Sequence, residues 1–330
     1  MKKWGRLVLA GVLLPAAVQS YGTDFMRPAV TPLPIGTDSR IGGKILAGKG
    51  CLYAVGGGNV YGASQVMRLT LGPDGLPNGR KPVGEIWKGD CGACAAAISG
   101  KWLFATGGNL KGVTVRFDIC GDGTLKNRTE LSDGDRPRVN SGGMVASGKY
   151  LILAGGWNSR QCYSAEVKID GSLGPWVLQR PLPQICFCQG RIFRLGNRLY
   201  AAGNQNYHSP SDRIFSAEVG DDGAVQKWRR WAGFPERAAG FDFQPMPDGK
   251  GVLFVNEESG SMYVAPIVED GRLGAWRKLG GVLPAGPFVS HVGFPLACGK
   301  YLRLAVLPEN PRKFLPSDVV EMNAGKELAR

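Results

Sequence analysis

The chain repeats itself at a spacing of about fifty residues, and that period limits its fold more than any other feature. Asp-Gly pairs stand at Asp74-Gly75, Asp122-Gly123, Asp170-Gly171, Asp222-Gly223 and Asp270-Gly271, with glycines 48, 48, 52 and 48 residues apart. A worn copy follows at Asn323-Ala324-Gly325, and two of the turns extend into nearly the same stretch, DGSLGPW ending at Trp176 and DGRLGAW ending at Trp276. Ahead of each turn runs a short apolar segment: CLYAVGGG from Cys51, WLFATGGN from Trp102, YLILAGGW from Tyr150, RLYAAGNQ from Arg198, VLFVNEES from Val252 and YLRLAVLP from Tyr301. Repetition at a fixed period of this length marks an array of supersecondary units.

Each unit reads as four strands. A small-residue strand such as SGGMVASG turns tightly into the YLILAGG strand; a loop leads to a strand with period-two alternation, SAEVKI; the Asp-Gly turn then gives a last strand carrying the tryptophan, PWVLQRPLP. Nothing of helical period intervenes. Gly accepts positive φ without a Cβ clash, which suits it to this hairpin, and the Trp that follows can cover the outer edge of the sheet. The expected fold is therefore an all-β, six-bladed propeller. The sixth unit ends in EMNAGKELAR before its last strand is supplied, whereas RPAVTPLPIG, Arg27 to Gly36, reads like VLQRPLPQI of the third unit. An N-terminal strand is expected to complete the last blade and so remove two open sheet edges.

The Gly-Gly after an apolar strand, the later Trp, and an Arg ahead of the next unit (Arg138 in RPRVNSGG, Arg237 in PERAAG) resemble kelch repeats over roughly residues 36 to 330. The kelch-like superfamily of propellers includes galactose oxidase and the N-acetylneuraminate epimerase-like proteins. The resemblance implies a propeller and leaves the activity open, since such propellers serve as enzymes, sugar binders and protein platforms alike.

Lys2, Lys3 and Arg6 precede the apolar run LVLAGVLLPAAV, and Val18-Gln19-Ser20 offers small residues for cleavage, so residues 1–20 read as a signal peptide and 21–330 as a single propeller domain. The run of twelve residues is too short to span a membrane. A secreted or periplasmic chain is expected. In an oxidising compartment the eight cysteines read first as disulfide candidates. Cys51 and Cys298 fall near equivalent turns of the first and last units, neighbours in a closed ring, and are the expected bridge; Cys91, Cys94, Cys162, Cys186 and Cys188 cluster near the other face. CGAC, Cys91 to Cys94, also resembles a redox or zinc pair, but no thioredoxin-like pattern surrounds it, and no metal is expected.

A functional site is expected at one mouth of the central channel, where loops leading into the inner strands meet the loops after the second strands. Arg138, Asn140, Arg237 and His291 belong to the first set; Trp157, Asn158, Tyr207 and His208 belong to the second. Amides, arginines and flat aromatic rings around one pit suit a sugar, through planar hydrogen bonding to hydroxyls and stacking on ring faces. Arg138 and Arg237 would hold a carboxylate by their guanidinium forks, and Trp157 would stack on the ring. The formal charge of +13, or +10 once Lys2, Lys3 and Arg6 are removed, favours an acidic carbohydrate or other anionic glycan. Export argues against nucleic acid as a partner.

Two enzymatic readings follow from the resemblance. Galactose oxidase implies copper held by two His and two Tyr, one Tyr cross-linked to a Cys at an inner-strand start. Cys188 stands at such a start, with Tyr207-His208 and His291 elsewhere, but Phe241 occupies the place of the cross-linked Tyr, so no cofactor is expected. A milder reading is a sugar mutarotase or epimerase, with Glu236, Glu257 or Glu258 near the mouth as acid or base; no catalytic residue is assigned. The remaining alternative is a protein-interaction platform without a small ligand.

Overall fold

The computed structural model describes residues 26–29, 44–48, 50–55, 64–87, 94–107, 113–131, 137, 139–140, 142–186, 191–204, 210–231, 233–282, 290–306 and 317–321. Among them every regular element is a strand. The chain begins with β1 (Met26–Ala29). Blade 1 contains β2 (Lys44–Gly48), β3 (Cys51–Val55), β4 (Ser64–Leu71) and β5 (Pro77–Trp87); blade 2 contains β6 (Cys94–Ser99), β7 (Trp102–Gly107), β8 (Thr114–Ile119) and β9 (Leu125–Leu131). Blade 3 contains β10 (Gly143–Ser147), β11 (Tyr150–Ala154), β12 (Cys162–Glu166) and β13 (Val177–Leu178); blade 4 contains β14 (Ile192–Leu195), β15 (Arg198–Ala202), β16 (Ile214–Glu218) and β17 (Arg229–Arg230). Blade 5 contains β18 (Phe241–Pro245), β19 (Gly251–Asn256), β20 (Ser261–Pro266) and β21 (Arg277–Val282), and β22 (Ser290–Pro295), β23 (Lys300–Val306) and β24 (Ser317–Glu321) follow.

These strands form a β-propeller. Five sheets are each built from four consecutive antiparallel strands, whereas the sheet of β22, β23 and β24 takes its fourth strand from the other end of the chain. There β1 pairs with β24, Met26 opposite Val320 and Ala29 opposite Ser317. The first strands of the sheets stand innermost and adjoin in chain order, β2 beside β6, β6 beside β10, and so on to β18 beside β22, with β22 again beside β2. No helix among the described residues is long and apolar enough to cross a membrane.

The core is laid down by the repeat itself. The second residue of each apolar segment is Leu52, Leu103, Leu151, Leu199, Leu253 or Leu302, none more than 2% exposed. Each such burial contributes about 1.5–3 kcal/mol. The Asp-Gly turns are equally regular. Asp74, Asp122, Asp170, Asp222 and Asp270 each accept, through Oδ1, the backbone N–H two residues on, at 2.9–3.1 Å. The following glycines have φ between 74° and 79°, the left-handed region that a side chain resists.

Those glycines have a second reason to lack a side chain, because each turn is pressed against the blade before it. A Cβ at Gly123 would meet the Cys51 sulfur and Tyr53 hydroxyl, one at Gly171 the Trp102 ring and Arg116, one at Gly223 the Tyr150 ring, and one at Gly271 Arg198 and the Tyr200 hydroxyl. The series continues across the seam, where Gly75 of blade 1 sits against Cys298 of the last sheet. Hydrogen bonds complete the latches: Tyr53 donates to the Gly123 carbonyl at 2.8 Å and Tyr200 to the Gly271 carbonyl at 2.6 Å. The repeated tryptophans serve the same purpose, Trp228 donating through Nε1 to the Arg180 carbonyl and Trp276 to the Gly233 carbonyl, both at 3.1 Å.

The expected Cys51–Cys298 bridge is corrected by this arrangement: both are free thiols, and no disulfide is formed among the described residues. The reason lies in the handedness of the latches. Each cysteine leans on the Asp-Gly turn of the next blade round the ring, Cys51 on Gly123 and Cys298 on Gly75, so the two sulfurs point the same way round and not toward each other. Cys94, Cys162 and Cys186 are buried. Cys91 and Cys188 lie outside the described residues.

Candidate functional site

The alternation of strand direction puts the starts of the inner strands and the loops after the second strands at one end of the propeller. Backbone hydrogen bonds knit these segments into a rim. Trp157 N–H donates to the Asn140 carbonyl at 2.6 Å, and Gly156 N–H to the Cys186 carbonyl at 2.9 Å. Ser211 N–H donates to the Ala238 carbonyl at 2.9 Å, and Glu257 N–H to the Gly240 carbonyl at 3.1 Å. Of the residues expected there, Asn140, Trp157, Asn158 and Arg237 are on this rim, and Trp157 is 50% exposed. Asn158 adopts φ 50°, a left-handed turn conformation. Arg237 donates to the Pro210 carbonyl at 3.1 Å and so ties the blade 4 loop to the approach to blade 5. Its fork faces the protein in that contact, which is a structural use of the guanidinium. His291 is on β22, opposite Ala305. Arg138, Tyr207 and His208 lie outside the described residues.

Strand register reveals a position that alignment of the loops concealed. Lys44 on β2 opposes Val55, the third residue after the repeat Leu, and Ala95, Gly143, Phe241 and His291 occupy the same position on β6, β10, β18 and β22. Arg191, just before β14, is their counterpart, its carbonyl accepting from Ala202 N–H at 3.1 Å. The equivalents of His291 are thus Lys44 and Arg191, with Arg237 four residues too early.

Lys44 reaches across the channel. Its ammonium donates to the Met144 carbonyl at 2.6 Å and the Ile192 carbonyl at 3.3 Å, joining the inner strands of blades 1, 3 and 4. Ala95 and Gly143 at the equivalent positions leave it room. Beside Ile192, the Arg191 guanidinium lies 4.3 Å from the centre of the Phe241 ring and 3.8 Å from Glu257. Arg191 is only 8% exposed, a buried cation held by a ring face and a carboxylate. Asn204, 2% exposed, donates to the Ala239 carbonyl at 2.5 Å, while its Oδ1 has no partner among the described residues.

The carboxylates on the blade 5 side divide into an anchor and a group facing Arg191. Glu236 accepts from Tyr263, from Asn256 at 2.7 Å and from Ser259 at 3.0 Å. Burial pushes the Glu236 carboxyl up, and these three hydrogen bonds outweigh burial and hold it below the usual range. Glu258 accepts the Ala239 N–H at 3.0 Å. Glu257 stands 3.8 Å from Arg191.

The residues do not fit a copper-radical centre. Phe241, which stands where the galactose oxidase resemblance expects a phenol, is fully buried, 5.0 Å from the Phe234 ring and 5.9 Å from the Phe254 ring, with the Arg191 cation over its face. It offers no oxygen and sits beside a positive charge.

No protein-family model and no curated protein matches the chain. Solved structures do resemble it in fold. The protein YjhT is 13% identical with a TM-score of 0.59, the match covering 90% of this chain and 97% of that one. A fungal alcohol oxidase of the AA5 family, in complex with copper, is 11% identical with a TM-score of 0.56, covering 90% and 75%. A putative 6-phosphogluconolactonase from Bacteroides uniformis is 15% identical with a TM-score of 0.52, covering 84% and 85%. At such identities the likeness concerns the fold alone, and that fold is a β-propeller.

Proposed function

We propose that this chain is a secreted or periplasmic propeller whose ring of six blades, closed by the N-terminal strand, binds an acidic carbohydrate at the channel mouth. The observation that carries the reading is the pair of cations at one repeated position, Lys44 across the channel and Arg191 beside it. A carboxylate-bearing sugar entering the mouth meets both charges, and the partly unsatisfied Asn204 amide supplies an acceptor for a hydroxyl. Trp157 is an exposed ring on the same rim for stacking. Fold likeness to a putative 6-phosphogluconolactonase agrees with a sugar-related ligand. The pairing of β1 with β24 and the contact of β22 with β2 support the closed ring, and the basic balance of the chain supports an acidic ligand.

A second reading rests on Glu257. A carboxylate 3.8 Å from a buried guanidinium can hold and release a proton while the cation fixes a sugar acid, which is what anomer interconversion by ring opening requires. Titration of the purified chain against sialic, glucuronic and galacturonic acids tests the binding, and NMR exchange between sialic acid anomers tests the chemistry. Arg191→Lys, which keeps the charge and loses the fork, is expected to weaken binding about tenfold, the equivalent of ~1.4 kcal/mol. Failure to bind any acidic sugar would discard the proposal in favour of a protein platform.

A further inference from the structure

At the opposite end of the propeller, between blades 4 and 5, lies a groove of about 470 Å³. Its walls include Arg198, Glu218, Arg229 and Trp231 of blade 4 and the turn from Val268 to Glu269 of blade 5. The volume is within the usual range for a small-molecule site. We propose that this groove is a second, independent binding site, for a neutral sugar or short neutral oligosaccharide.

The groove exists because one unit departs from the repeat. In blade 3, three residues after Trp176, Gln179 donates to Ser164 Oγ at 2.8 Å and accepts from Val225 N–H of blade 4 at 3.1 Å. That single amide ties the outer strand of one blade to the turn region of the next and closes the gap. The equivalent residue of blade 4, three after Trp228, is Trp231. It keeps the inward bond, its Nε1 donating to Ser216 Oγ, the counterpart of Ser164. An indole has no acceptor, so the tie to the next blade is lost. Trp231 is an additional tryptophan, since the repeat Trp of this unit is Trp228, which holds the Arg180 carbonyl.

The lining chemistry points to a polyhydroxylated, uncharged ligand. Trp231 is fixed by its hydrogen bond and offers a flat ring for the C–H face of a sugar. Arg229 and Glu269 are exposed, and their side chains have no hydrogen bond or ion pair among the described residues. They face the groove as one donor fork and one acceptor pair, opposite in charge. The remaining charges are already matched: Arg198 donates to Glu218 at 2.6 Å, and Asp270 pairs with Arg272 at 2.5 Å. A groove with balanced charge gains little from an acidic ligand, whereas hydroxyls can bond to both free groups. Val268, 38% exposed, forms an apolar lip.

The test is titration of the full chain with malto-, cello-, xylo- and galacto-tetraoses, followed by calorimetry and saturation-transfer NMR. Trp231→Gln restores the blade 3 arrangement and is expected to close the groove, abolishing neutral-sugar binding while leaving the melting temperature unchanged or higher. Arg229→Ala, on an exposed side chain, leaves the fold intact and is expected to weaken binding at least fivefold. Lys44→Met, at the far mouth, is expected to leave neutral-sugar binding unaltered, which separates this site from the acidic-sugar reading. The proposal is overturned if wild type binds none of the tetraoses, or if binding survives both Trp231→Gln and Arg229→Ala.

Discussion

Arg116 in blade 2 donates a hydrogen bond to the carbonyl of Asp170 in blade 3 at 2.8 Å, and Arg68 in blade 1 makes the same bond to Asp122 in blade 2 at 2.5 Å, each across 54 residues of chain. The recurrence of Asp-Gly is thereby explained by more than hairpin geometry. The turn is the part of each blade that the preceding blade grips, and a guanidinium, a tyrosine hydroxyl or a ring is the grip. Selection for the latch and for the turn falls on the same two residues.

The latch predicts a difference between two glycine substitutions. Gly148 and Gly171 both have positive φ, but a Cβ at Gly148 meets nothing within 4 Å whereas one at Gly171 meets Trp102 and Arg116 below 3 Å. Gly148→Ala is expected to cost the backbone strain alone, about 1–2 kcal/mol. Gly171→Ala is expected to cost ~1–3 kcal/mol more, as overpacking does. Urea unfolding of the two variants measures the gap, and equal costs would show that the turn does not dock.

The acid limb of stability supplies a second prediction. Glu236 titrates below its ordinary value in the folded chain because its three hydrogen bonds outweigh burial. A depressed carboxylate contributes stability above its unfolded pKa, and that contribution is lost as pH falls through the lower folded value. Glu236→Gln is therefore expected to flatten the decline of melting temperature below pH 5, roughly the onset of carboxylate titration. An unchanged slope would mean that the rim cluster is not formed in solution.

What the sequence disclosed and what it hid follow from the same physics. Leu199 and the Asp222-Gly223 turn are set by local periodicity and recur in each of the first five units, and Trp228 recurs in the third to fifth, so a single chain displays them as a repeat. Lys44 and Arg191 are legible only once strand register is known, because the lead-in loops differ in length between units and a count from the loop places Arg237 in their stead. The direction of a thiol was likewise not encoded in spacing: Cys51 opens β3 and Cys298 lies in the turn between β22 and β23, yet each lies against the Asp-Gly turn of the following blade. Trp231 was visible as a second tryptophan in KWRRW. Its meaning required knowing what Gln179 does one blade earlier.

Closure by the N-terminal strand is open to direct test. Met26–Ala29 pair with Ser317–Val320, and without them β24 presents an open edge. Deleting residues 21–36 from the chain is expected to lower the melting temperature by several degrees, about 4 °C or more for the loss of ~2 kcal/mol in a chain of this size. It is also expected to increase self-association through the exposed edge. A deletion that melts like the parent and stays monomeric would show that β1 does not complete the ring.

The last prediction concerns the lysine that spans the channel. Lys44→Met keeps an unbranched apolar stem that ends where the ammonium began, leaving the Met144 and Ile192 carbonyls without that donor. Unsatisfied carbonyls cost about 1–3 kcal/mol each when buried, but Lys44 is only partly buried and water can replace the donor, so the expected loss is about 1 kcal/mol in total. The effect on an acidic sugar is expected to be larger, because in the proposed site the ammonium is one of two cations offered to the carboxylate and a charge-assisted contact contributes ~1.5–3 kcal/mol. A tenfold or greater rise in Kd for the acidic sugar, with a melting temperature lowered by only a few degrees, is the signature of a ligand-facing charge. If the variant loses stability in proportion to binding, Lys44 is a strut between blades 1, 3 and 4. If the Kd does not move, the carboxylate is held elsewhere on the rim, and Arg191 alone would have to account for it.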